Sequence, residues 1–277
     1  MENYSILMSV YQKETPENLR LSMESMLTQT VMADEFVLVC DGPLTEALDA
    51  VVLDYQNRYP QVMRIVRLQN NQGLANALNA GLRVCRNSLV ARMDSDDFAP
   101  PERCQLQVDA FEKDPELVLV GGTVKEFVGE PSHVTGCKQM PLTQQEILRY
   151  ARKRNPFNHP TVMFRAEAIR DAGGYPNSYR FHEDYALWAK LLLRGAKTRN
   201  LPDVLCYMRT DSGLYRRRGG GAYWKTAVKF RWHLYRIGLY SLADFVYVST
   251  ALTLICLAPV SFRKAIYQTF LRKNTGK

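Results

Sequence analysis

The chain has 277 residues, of which 46% are hydrophobic and 23% are charged. This is ordinary globular usage, which excludes a disordered, collagen-like or coiled-coil protein, and the length favours one sizeable domain with an extension. The formal net charge of +8 is uneven, because the residues from Arg209 onward hold 13 Lys or Arg and two acids, which leaves −3 for residues 1–208.

The first 93 residues alternate between predicted strands and helices. The strands are predicted over Tyr4–Val10, Glu35–Cys40, Val62–Leu68 and Ser88–Met93, and the helices over Pro16–Leu27, Glu46–Tyr59 and Gly73–Arg86. Apolar runs that alternate with amphipathic helices predict a parallel sheet with helical crossovers. Because ligands bind beyond the carboxyl ends of such strands, we expect Tyr11, Asp41, the loop 70–73 and Asp94 to meet at one edge.

The alternation weakens after residue 100. A helix is predicted over 102–113 and a strand over 117–124, and the polar stretch that follows, to about residue 140, indicates a loop. Further along, a strand is predicted over 159–165 and helices over 166–172 and 183–194, each helix ended by glycine.

The last 59 residues, 219–277, differ from the rest. A Gly-Gly-Gly run precedes a basic and aromatic stretch over 223–240, and Phe245–Phe262 holds 18 residues without a charge. That length is the lower limit for a spanning helix, and its Ser, Thr and Pro residues favour a helix that packs on the protein or lies in a membrane interface. We therefore predict a basic helical extension that associates peripherally with an anionic membrane leaflet.

Two features predict a cytoplasmic protein. Six cysteines are scattered without C-x-x-C pairs or metal-ligand spacing, as expected of reduced thiols. The first ten residues lack the basic and apolar regions of a signal peptide. No base-reading or stacking module indicates nucleic acid as a partner.

Three carboxylates, Asp94, Asp96 and Asp97, stand at the end of the fourth predicted strand. Like charges this close repel each other unless a ligand neutralises them, so we predict a divalent metal, Mg²⁺ or Mn²⁺, at these carboxylates. Such a metal would bind a diphosphate and stabilise its departure. An Asp-rich helix N-cap before Pro100-Pro101 is the alternative.

Asp41 and the loop after the third strand have the same topological position. The Asp41 carboxylate can accept from an imide or a ribose hydroxyl, although an ordinary Asp-Gly turn explains it equally well. Gly73 precedes a helix on which Asn76 and Asn79 share one face, within reach of sugar or phosphate. Neither a dinucleotide-binding loop nor a P-loop is supported, because G-x-G-x-x-G and G-K-[ST] are missing.

Glu183 and Asp184 open the last helix of this region. A carboxylate that faces an acceptor hydroxyl would be a general base. First-turn acids that complement the helix dipole are the alternative. Trp188, one turn further on, is a candidate for stacking on an acceptor sugar, with a core position as its alternative.

Three further side chains are candidates for ligand binding. Arg209 and Arg216 carry guanidinium groups that can pair with phosphate, although a solvated basic loop is the alternative. His159 has no visible zinc partner in the sequence, which favours a structural or acceptor-site role over metal binding.

Together these motifs resemble a family 2 glycosyltransferase with the glycosyltransferase A fold, a Rossmann-like, mostly parallel α/β sheet flanked by helices. The resemblance covers roughly Tyr4 to Arg218 and rests on the order and spacing of Asp41, Asn71-x-Gly73, Met93–Asp97 and the Glu183-Asp184 pair. The segment 154–165, with the following Gly-Gly-Tyr, further resembles a subgroup that builds bacterial O-antigen, capsule or exopolysaccharide repeat units.

The resemblance divides the chain into two parts. It implies a catalytic domain over 1–218, with a nucleotide-binding half at about 1–100 and an acceptor half at about 101–218. The basic, aromatic and apolar extension then occupies 219–277.

The resemblance also implies roles for the first motifs. Asp41 would contact the nucleotide base, Asp94 would lie near the ribose, Asp96 would hold the metal and Asp97 would lie beside the sugar. The residues predicted to bind the nucleotide-sugar are Val10, Tyr11, Asp41, Asn71, Gly73, Asn76, Asp94, Asp97, Arg209 and Arg216.

For the second motif, the resemblance implies that Asp184 is the catalytic base, oriented or helped by Glu183, and that the anomeric configuration inverts. The sequence departs from the family pattern at Cys40, which replaces one acid of the usual double-Asp strand ending. No Q-x-x-R-W follows the base, which argues against a processive cellulose- or chitin-type synthase and for one transfer per acceptor.

We therefore predict a metal-dependent transfer of galactose or glucose from a UDP-sugar to a sugar on polyprenyl diphosphate, at the cytoplasmic face of the inner membrane. Asp184 would take the proton of the acceptor hydroxyl while the metal stabilises the leaving diphosphate. A sugar nucleotidyltransferase is one alternative, although residues 10–14 lack its Gly-rich, Arg- and Lys-containing loop. A non-catalytic membrane-associated scaffold that binds a UDP-sugar is the other.

Overall fold

The structure is a computed structural model that describes residues 2–179, 181–210 and 221–257. Its centre is one mixed sheet of eight strands. The strands are β1 Tyr4–Val10, β2 Glu35–Cys40, β3 Met63–Arg67, β4 Leu89–Asp94, β5 Leu117–Phe127, β6 Val134–Lys138, β7 Met163–Arg165 and β8 Lys197–Arg209.

The sheet order is β3-β2-β1-β4-β7-β5-β6, and β8 pairs with β5. Strands β1 to β4 are all parallel, which confirms the parallel sheet predicted for the first part of the chain. β7 is antiparallel to both β4 and β5, while β8 is parallel to β5. β4 therefore borders both the parallel half and the mixed half of the sheet.

Helices connect the strands and cover both faces of the sheet. They are α1 Pro16–Leu27, α2 Glu46–Arg58, α3 Leu74–Val84, α4 Arg103–Lys113, α5 Gln144–Ala151, α6 Ala166–Asp171, α7 Glu183–Leu193, α8 Gly221–Arg236 and α9 Leu242–Leu257. Several begin at capping side chains that the sequence supplies locally: Thr15 accepts from the backbone of α1, and Thr143 with Glu146 forms a capping box at α5.

The structure corrects the predicted elements of the second half. The polar stretch expected to be a loop contains β6, in a hairpin with β5. The sequence predicts neither α5 nor β8, since β8 mixes polar residues with apolar ones and pairs with β5 through three register shifts. The strand predicted over 159–165 divides into a 3₁₀ turn, His159–Thr161, and β7, because Pro160 has no N–H for a ladder.

Two hydrophobic clusters pack on opposite faces of the sheet. Ile6 belongs to one cluster and its neighbour Leu7 to the other, as the alternation of side chains along a strand requires. The second cluster includes Trp188 of α7 together with Phe230 and Leu234 of α8. The first helix of the predicted extension, α8, therefore packs into the same hydrophobic core as one face of the sheet.

α9 packs on α8 in turn. Leu252 and Cys256 contact Ala227, and Trp224 Nε1 donates to Thr253 Oγ1 at 2.8 Å. Of the charge-free stretch Phe245–Phe262, residues 258–262 lie outside the described part of the chain. Within the described ranges, no helix has both the length and the apolar character needed to cross a bilayer.

Candidate active site

Parallel strands end together at the carboxyl edge of the sheet. Ser9 lies opposite Asp94 in the register, and the backbone N–H of Asp41 donates to the Val10 carbonyl at 2.8 Å. The predicted meeting of these strand ends is confirmed. Tyr11 is exposed at this edge, whereas Val10 is fully buried with its carbonyl occupied, so Val10 supports the site instead of contacting a ligand as predicted.

The Asp41 carboxylate closes the loop before α3. Oδ1 accepts from the backbone N–H of Gln72 at 2.7 Å, and Oδ2 accepts from that of Gly73 at 3.0 Å. Asn71 Nδ2 donates to the Asp41 carbonyl at 3.2 Å. Gly73 has a φ of +87°, which glycine adopts without strain. Asp41 is 4% exposed, and its hydrogen bonds order the loop. Asn71, in the same loop, is exposed to solvent.

The two asparagines on α3 also have protein partners. Asn76 Nδ2 donates to the Gln72 carbonyl at 3.0 Å, within the first turn of the helix. Asn79 exchanges two hydrogen bonds of 2.8 Å with the backbone of Tyr175. A Cβ on Gly174 would lie 2.4 Å from Asn79 Oδ1, so glycine is required for this approach. Asn79 therefore fixes the turn at Gly174 and Tyr175 to α3.

A buried arginine lies directly before the acidic turn. Arg92 of β4 is 1% exposed and forms a bidentate ion pair with Asp94, in which Nη1 donates to Oδ2 at 2.6 Å and Nη2 donates to Oδ1. Arg92 Nε has no hydrogen-bond partner among the described residues. Because a buried guanidinium must be paired, Arg92 holds the Asp94 carboxylate in one orientation.

Asp96 occupies a poorly solvated position in this turn. Burial, together with the charges of Asp94 and Glu14, raises the pKa of Asp96 to about 7. Glu14 reaches the turn by accepting from Ser95 Oγ at 2.9 Å. A cation at Asp96 would relieve this repulsion.

The donor set fits a metal that binds together with a diphosphate. The carboxylate oxygens of Asp96 and Asp94 are the ligand type that Mg²⁺ and Mn²⁺ prefer. No group of three or more His, Cys, Asp or Glu side chains within the described ranges is arranged to hold an ion alone. Phosphate oxygens and water would therefore have to complete the coordination.

Asp97 and Arg209, which the sequence predicts to bind the donor, contact each other. Asp97 Oδ1 accepts from the backbone N–H of Arg209 at 2.8 Å, and Cys206 Sγ donates to Oδ2 at 3.6 Å. The Arg209 guanidinium donates to the carbonyls of Asp96 at 3.1 Å and Gly129 at 2.6 Å. Both side chains are thus occupied in fastening the acidic turn to β8.

Asp184 has an ordered carboxylate in the first turn of α7. Oδ2 accepts from Asn155 Nδ2 at 2.6 Å, and Oδ1 accepts from the backbone N–H of Tyr185 at 2.7 Å. Burial raises the pKa of Asp184, while these two hydrogen bonds and the Arg92 charge oppose the shift. An oriented carboxylate with a raised pKa is suited to accept a proton.

Glu183 is less well satisfied than its neighbour. Burial raises its pKa, as does the Asp184 charge, and its Oε2 is buried without a hydrogen-bond partner in the described part of the chain. The Arg92 charge lowers the pKa of Glu183 and Asp184, and it acts in the same direction on Asp96. The charge of Arg92 therefore acts on the pKa values of both predicted acidic motifs.

The aromatic rings beside these acids form a buried wall. Trp188 is fully buried against His159, Phe164 and Tyr175, so the prediction that it stacks on an acceptor sugar is wrong. His159 is half-buried, with Nε2 3.2 Å from the Tyr175 hydroxyl. Burial, with the Arg92 charge, lowers the pKa of His159, which keeps the ring neutral within this wall.

Several site residues are not identified from the sequence. Arg92 carries a signal, because a charge inside an apolar strand requires a buried partner. Glu14 and Asn155 carry none, since their contacts with Ser95 and Asp184 span 81 and 29 residues. The predicted phosphate-binding Arg216 lies outside the described residues.

Comparisons with known proteins show which family the chain resembles. The family Glycosyl transferase family 2 matches residues 5–173. The amylovoran biosynthesis glycosyltransferase AmsE of Erwinia amylovora is 44% identical over 236 residues, which cover 85% of each chain. The UDP-Gal:alpha-D-GlcNAc-diphosphoundecaprenol beta-1,3-galactosyltransferase of Escherichia coli is 36% identical over 270 residues, or 98% of this chain and 97% of that one.

A solved structure has the same fold at low identity. S. aureus TarS 1-349 in complex with UDP-GlcNAc matches with a TM-score of 0.65, covering 91% of this chain and 71% of that chain. The sequence identity is 17%, so this likeness concerns the arrangement of strands and helices alone.

Proposed function

This chain belongs to glycosyl transferase family 2 and has the glycosyltransferase A fold, and we propose that it is an inverting, metal-dependent hexosyltransferase. It moves galactose or glucose from a UDP-sugar to a sugar on polyprenyl diphosphate, in the assembly of an O-antigen, capsule or exopolysaccharide repeat unit. The observation that carries the proposal is the Asp184 carboxylate, which Asn155 and the Tyr185 backbone orient and whose pKa is raised by burial.

Asp184 is the general base in this proposal. Asn155 and the Tyr185 backbone each occupy one lone pair of its carboxylate, which leaves lone pairs for an acceptor hydroxyl. As the hydroxyl oxygen bonds to the anomeric carbon, its proton passes to Asp184 and the bond to the diphosphate breaks. Attack from the face opposite the diphosphate inverts the anomeric configuration. Glu183 adds negative charge that favours proton uptake by its neighbour.

The donor lies along the carboxyl edge of the sheet. The exposed Tyr11 ring is a stacking surface for the nucleobase, and Asn71 offers an amide beside it. Asp94, held by Arg92, faces the ribose. When bound at Asp96 with Asp94, a Mn²⁺ or Mg²⁺ ion would neutralise the diphosphate and stabilise it as a leaving group.

A lipid-linked acceptor is supported by a relative. The E. coli protein that is 36% identical to this chain is named for GlcNAc-diphosphoundecaprenol as its acceptor. A polyprenyl chain stays in the membrane, so the enzyme would work peripherally at the cytoplasmic face of the inner membrane. Family membership favours transfer of a sugar over the nucleotidyltransferase and scaffold alternatives.

The test is the release of UDP from a panel of UDP-sugars, with Mn²⁺, Mg²⁺ or EDTA, in the presence of a short lipid diphosphate-linked GlcNAc or GalNAc. We expect release that depends on the acceptor, stops with EDTA and occurs with UDP-galactose or UDP-glucose. No release with any donor, while UDP binds, would contradict the acceptor class. Failure to bind UDP at all would contradict the donor class.

A further inference from the structure

The hairpin of α8 and α9 has a side that faces away from the catalytic region. On α8, the exposed residues Lys225, Lys229, Trp232 and Arg236 follow one another at spacings of four, three and four. Such spacing places all of them on one stripe of the helix. The stripe combines three cations with an indole, which is suited to a boundary between water and an apolar phase.

α9 presents a second stripe, made of apolar side chains. Leu242, Val246, Tyr247 and Leu254 are between 54% and 66% exposed and share one face of the helix. Trp232 of the α8 stripe also contacts α9, because its ring lies 5.4 Å from that of Phe245. We call these eight residues, the α8 stripe and the α9 stripe together, the outer face.

The sides of α8 and α9 that lie opposite these stripes pack against the rest of the protein or against each other. Phe230 and Leu234 of α8 are fully buried in the core of the catalytic region, and Leu252 of α9 packs on Ala227 of α8. Arg152 of the catalytic region donates to Asp244 at the start of α9. The outer face is therefore not the side that holds the hairpin to the rest of the protein.

We propose that the outer face docks on an anionic lipid bilayer, with α9 lying in the interface plane and the cations of α8 on the lipid phosphates. Charge complementarity selects this occupant, since three cations beside an apolar stripe match the headgroup and acyl boundary of an anionic leaflet. The described part of α9 has 16 residues, which is about 24 Å of helix. The function served, access to a polyprenyl-linked acceptor, rests on the proposed activity.

Docking in this way brings the base close to the lipid. The inner side of α8 contacts the segment before Glu183, where Phe230 stacks on His182 at 4.7 Å between ring centroids and His233 stacks on Tyr179 at 4.7 Å. Only the thickness of α8, about 10 Å, separates this segment from the outer face. A bilayer on the outer face would therefore lie near the end of α7 that carries Asp184.

The experiment is flotation of the full chain with vesicles of phosphatidylcholine alone or with added phosphatidylglycerol and cardiolipin. We expect binding only to the anionic vesicles, weakening as salt rises. The triple change Lys225→Glu, Lys229→Glu and Arg236→Glu should lower the apparent lipid affinity roughly a hundredfold. Val246→Asp with Leu254→Asp should lower it at least roughly tenfold. Leu53→Asp, on an exposed site of α2, is the matched control and should bind normally.

The following outcomes would contradict the docking proposal. Normal binding by both sets of variants, or equal loss with Leu53→Asp, would remove the outer face as the lipid site. A change of solution mass in these variants, with lipid binding unchanged, would assign the face to a second copy of the chain. Circular dichroism and the melting temperature verify that the variants are folded.

A separate readout keeps this proposal distinct from the proposed activity. On a short, water-soluble diphosphate-linked acceptor, the outer-face variants should transfer sugar at the wild-type rate. On an acceptor embedded in anionic vesicles, their rate should fall together with their lipid affinity. Inactivity of the wild type on both acceptors would contradict the activity and leave the flotation result standing.

Discussion

Buried carboxylates at the two edges of the parallel sheet have pKa values shifted in opposite directions. At the amino edge, Glu35 is fully buried and accepts from Ser5 Oγ at 2.7 Å and from the backbone N–H and Nε of Arg86, both at 2.9 Å. Burial alone would raise the pKa of Glu35, but these hydrogen bonds outweigh it and lower the pKa. At the carboxyl edge, the pKa values of Asp96 and Asp184 are raised.

The difference shows what distinguishes a structural acid from a reactive one. Glu35 has enough donors to stabilise its charged form, so its charge contributes to folding. At the carboxyl edge Arg92 pairs with Asp94, while burial and the charges of neighbouring acids keep the pKa values of Asp96 and Glu183 raised. Such under-neutralised carboxylates are poised to bind a cation or take a proton, at a cost in stability that a functional site tolerates.

The largest expected effect is on catalysis at the carboxyl edge. Asp184→Asn keeps the shape of the side chain but removes the proton acceptor, so the transfer rate should fall about a thousandfold. The melting temperature should stay close to that of the wild type. Initial rates of UDP release measure the effect, and a rate within threefold of the wild type would refute Asp184 as the base.

Arg92→Met should cause the largest loss of stability at the same edge. Removal of a buried cation leaves the Asp94 carboxylate without its partner, and we expect a loss of about 2–4 kcal/mol in the free energy of unfolding, discounted because Asp94 is 32% exposed. Urea denaturation measures this loss. Arg86→Met at the amino edge is the matched control: its side chain is 65% exposed, and the cost should be clearly smaller. Equal losses of unfolding free energy in Arg92→Met and Arg86→Met would contradict the difference between the two edges.

Glu35→Gln tests the structural acid directly. Loss of the charged hydrogen bonds to Ser5 and Arg86 should lower the free energy of unfolding by about 1–3 kcal/mol without changing the rate per folded molecule. Because the folded pKa of Glu35 is lowered, its contribution is present above the ordinary glutamate pKa and is lost as pH falls through the lowered value. The stability gap between variant and wild type should therefore close in acid.

The smallest expected effect is a shift of a pH profile. Asn155→Ala removes a hydrogen bond that stabilises the charged form of Asp184, so the pKa of Asp184 should rise further. Activity requires the deprotonated base, and the acid limb of kcat/KM should move to higher pH by about one unit. Asn87→Ala, which removes a 3.1 Å hydrogen bond to Ser5 at the amino edge, should leave the profile unchanged.

Much of the first half is predictable because its signals are local. Apolar runs give β1 and β2 with their observed bounds, and the Thr15 cap with the following Pro marks the start of α1. The register of these parallel strands then brings Asp41 and Asp94 to one edge. For this reason the sequence alone locates the candidate site.

What the side chains do at that edge was decided by tertiary structure. Asp97 and Arg209 are both predicted to bind the donor, and in the fold the Asp97 carboxylate accepts from the backbone N–H of Arg209, 112 residues away. Trp188 has the residue type of a sugar-stacking ring and lies in the core because α7 turns that face toward the sheet. Such roles depend on long-range packing, which local patterns do not encode.

The amino-acid sequence by itself therefore determined the α/β alternation, the carboxyl edge and the residue types available there. Tertiary structure decided that Arg92 pairs with Asp94 and Asn155 with Asp184, and that burial raises the pKa values of Asp96 and Asp184. It also decided that β8 pairs with β5 and that the α8–α9 hairpin packs beside α7. The physical reason is that helix and strand signals act between near neighbours, whereas desolvation and ion pairing depend on which distant groups the folded chain brings together.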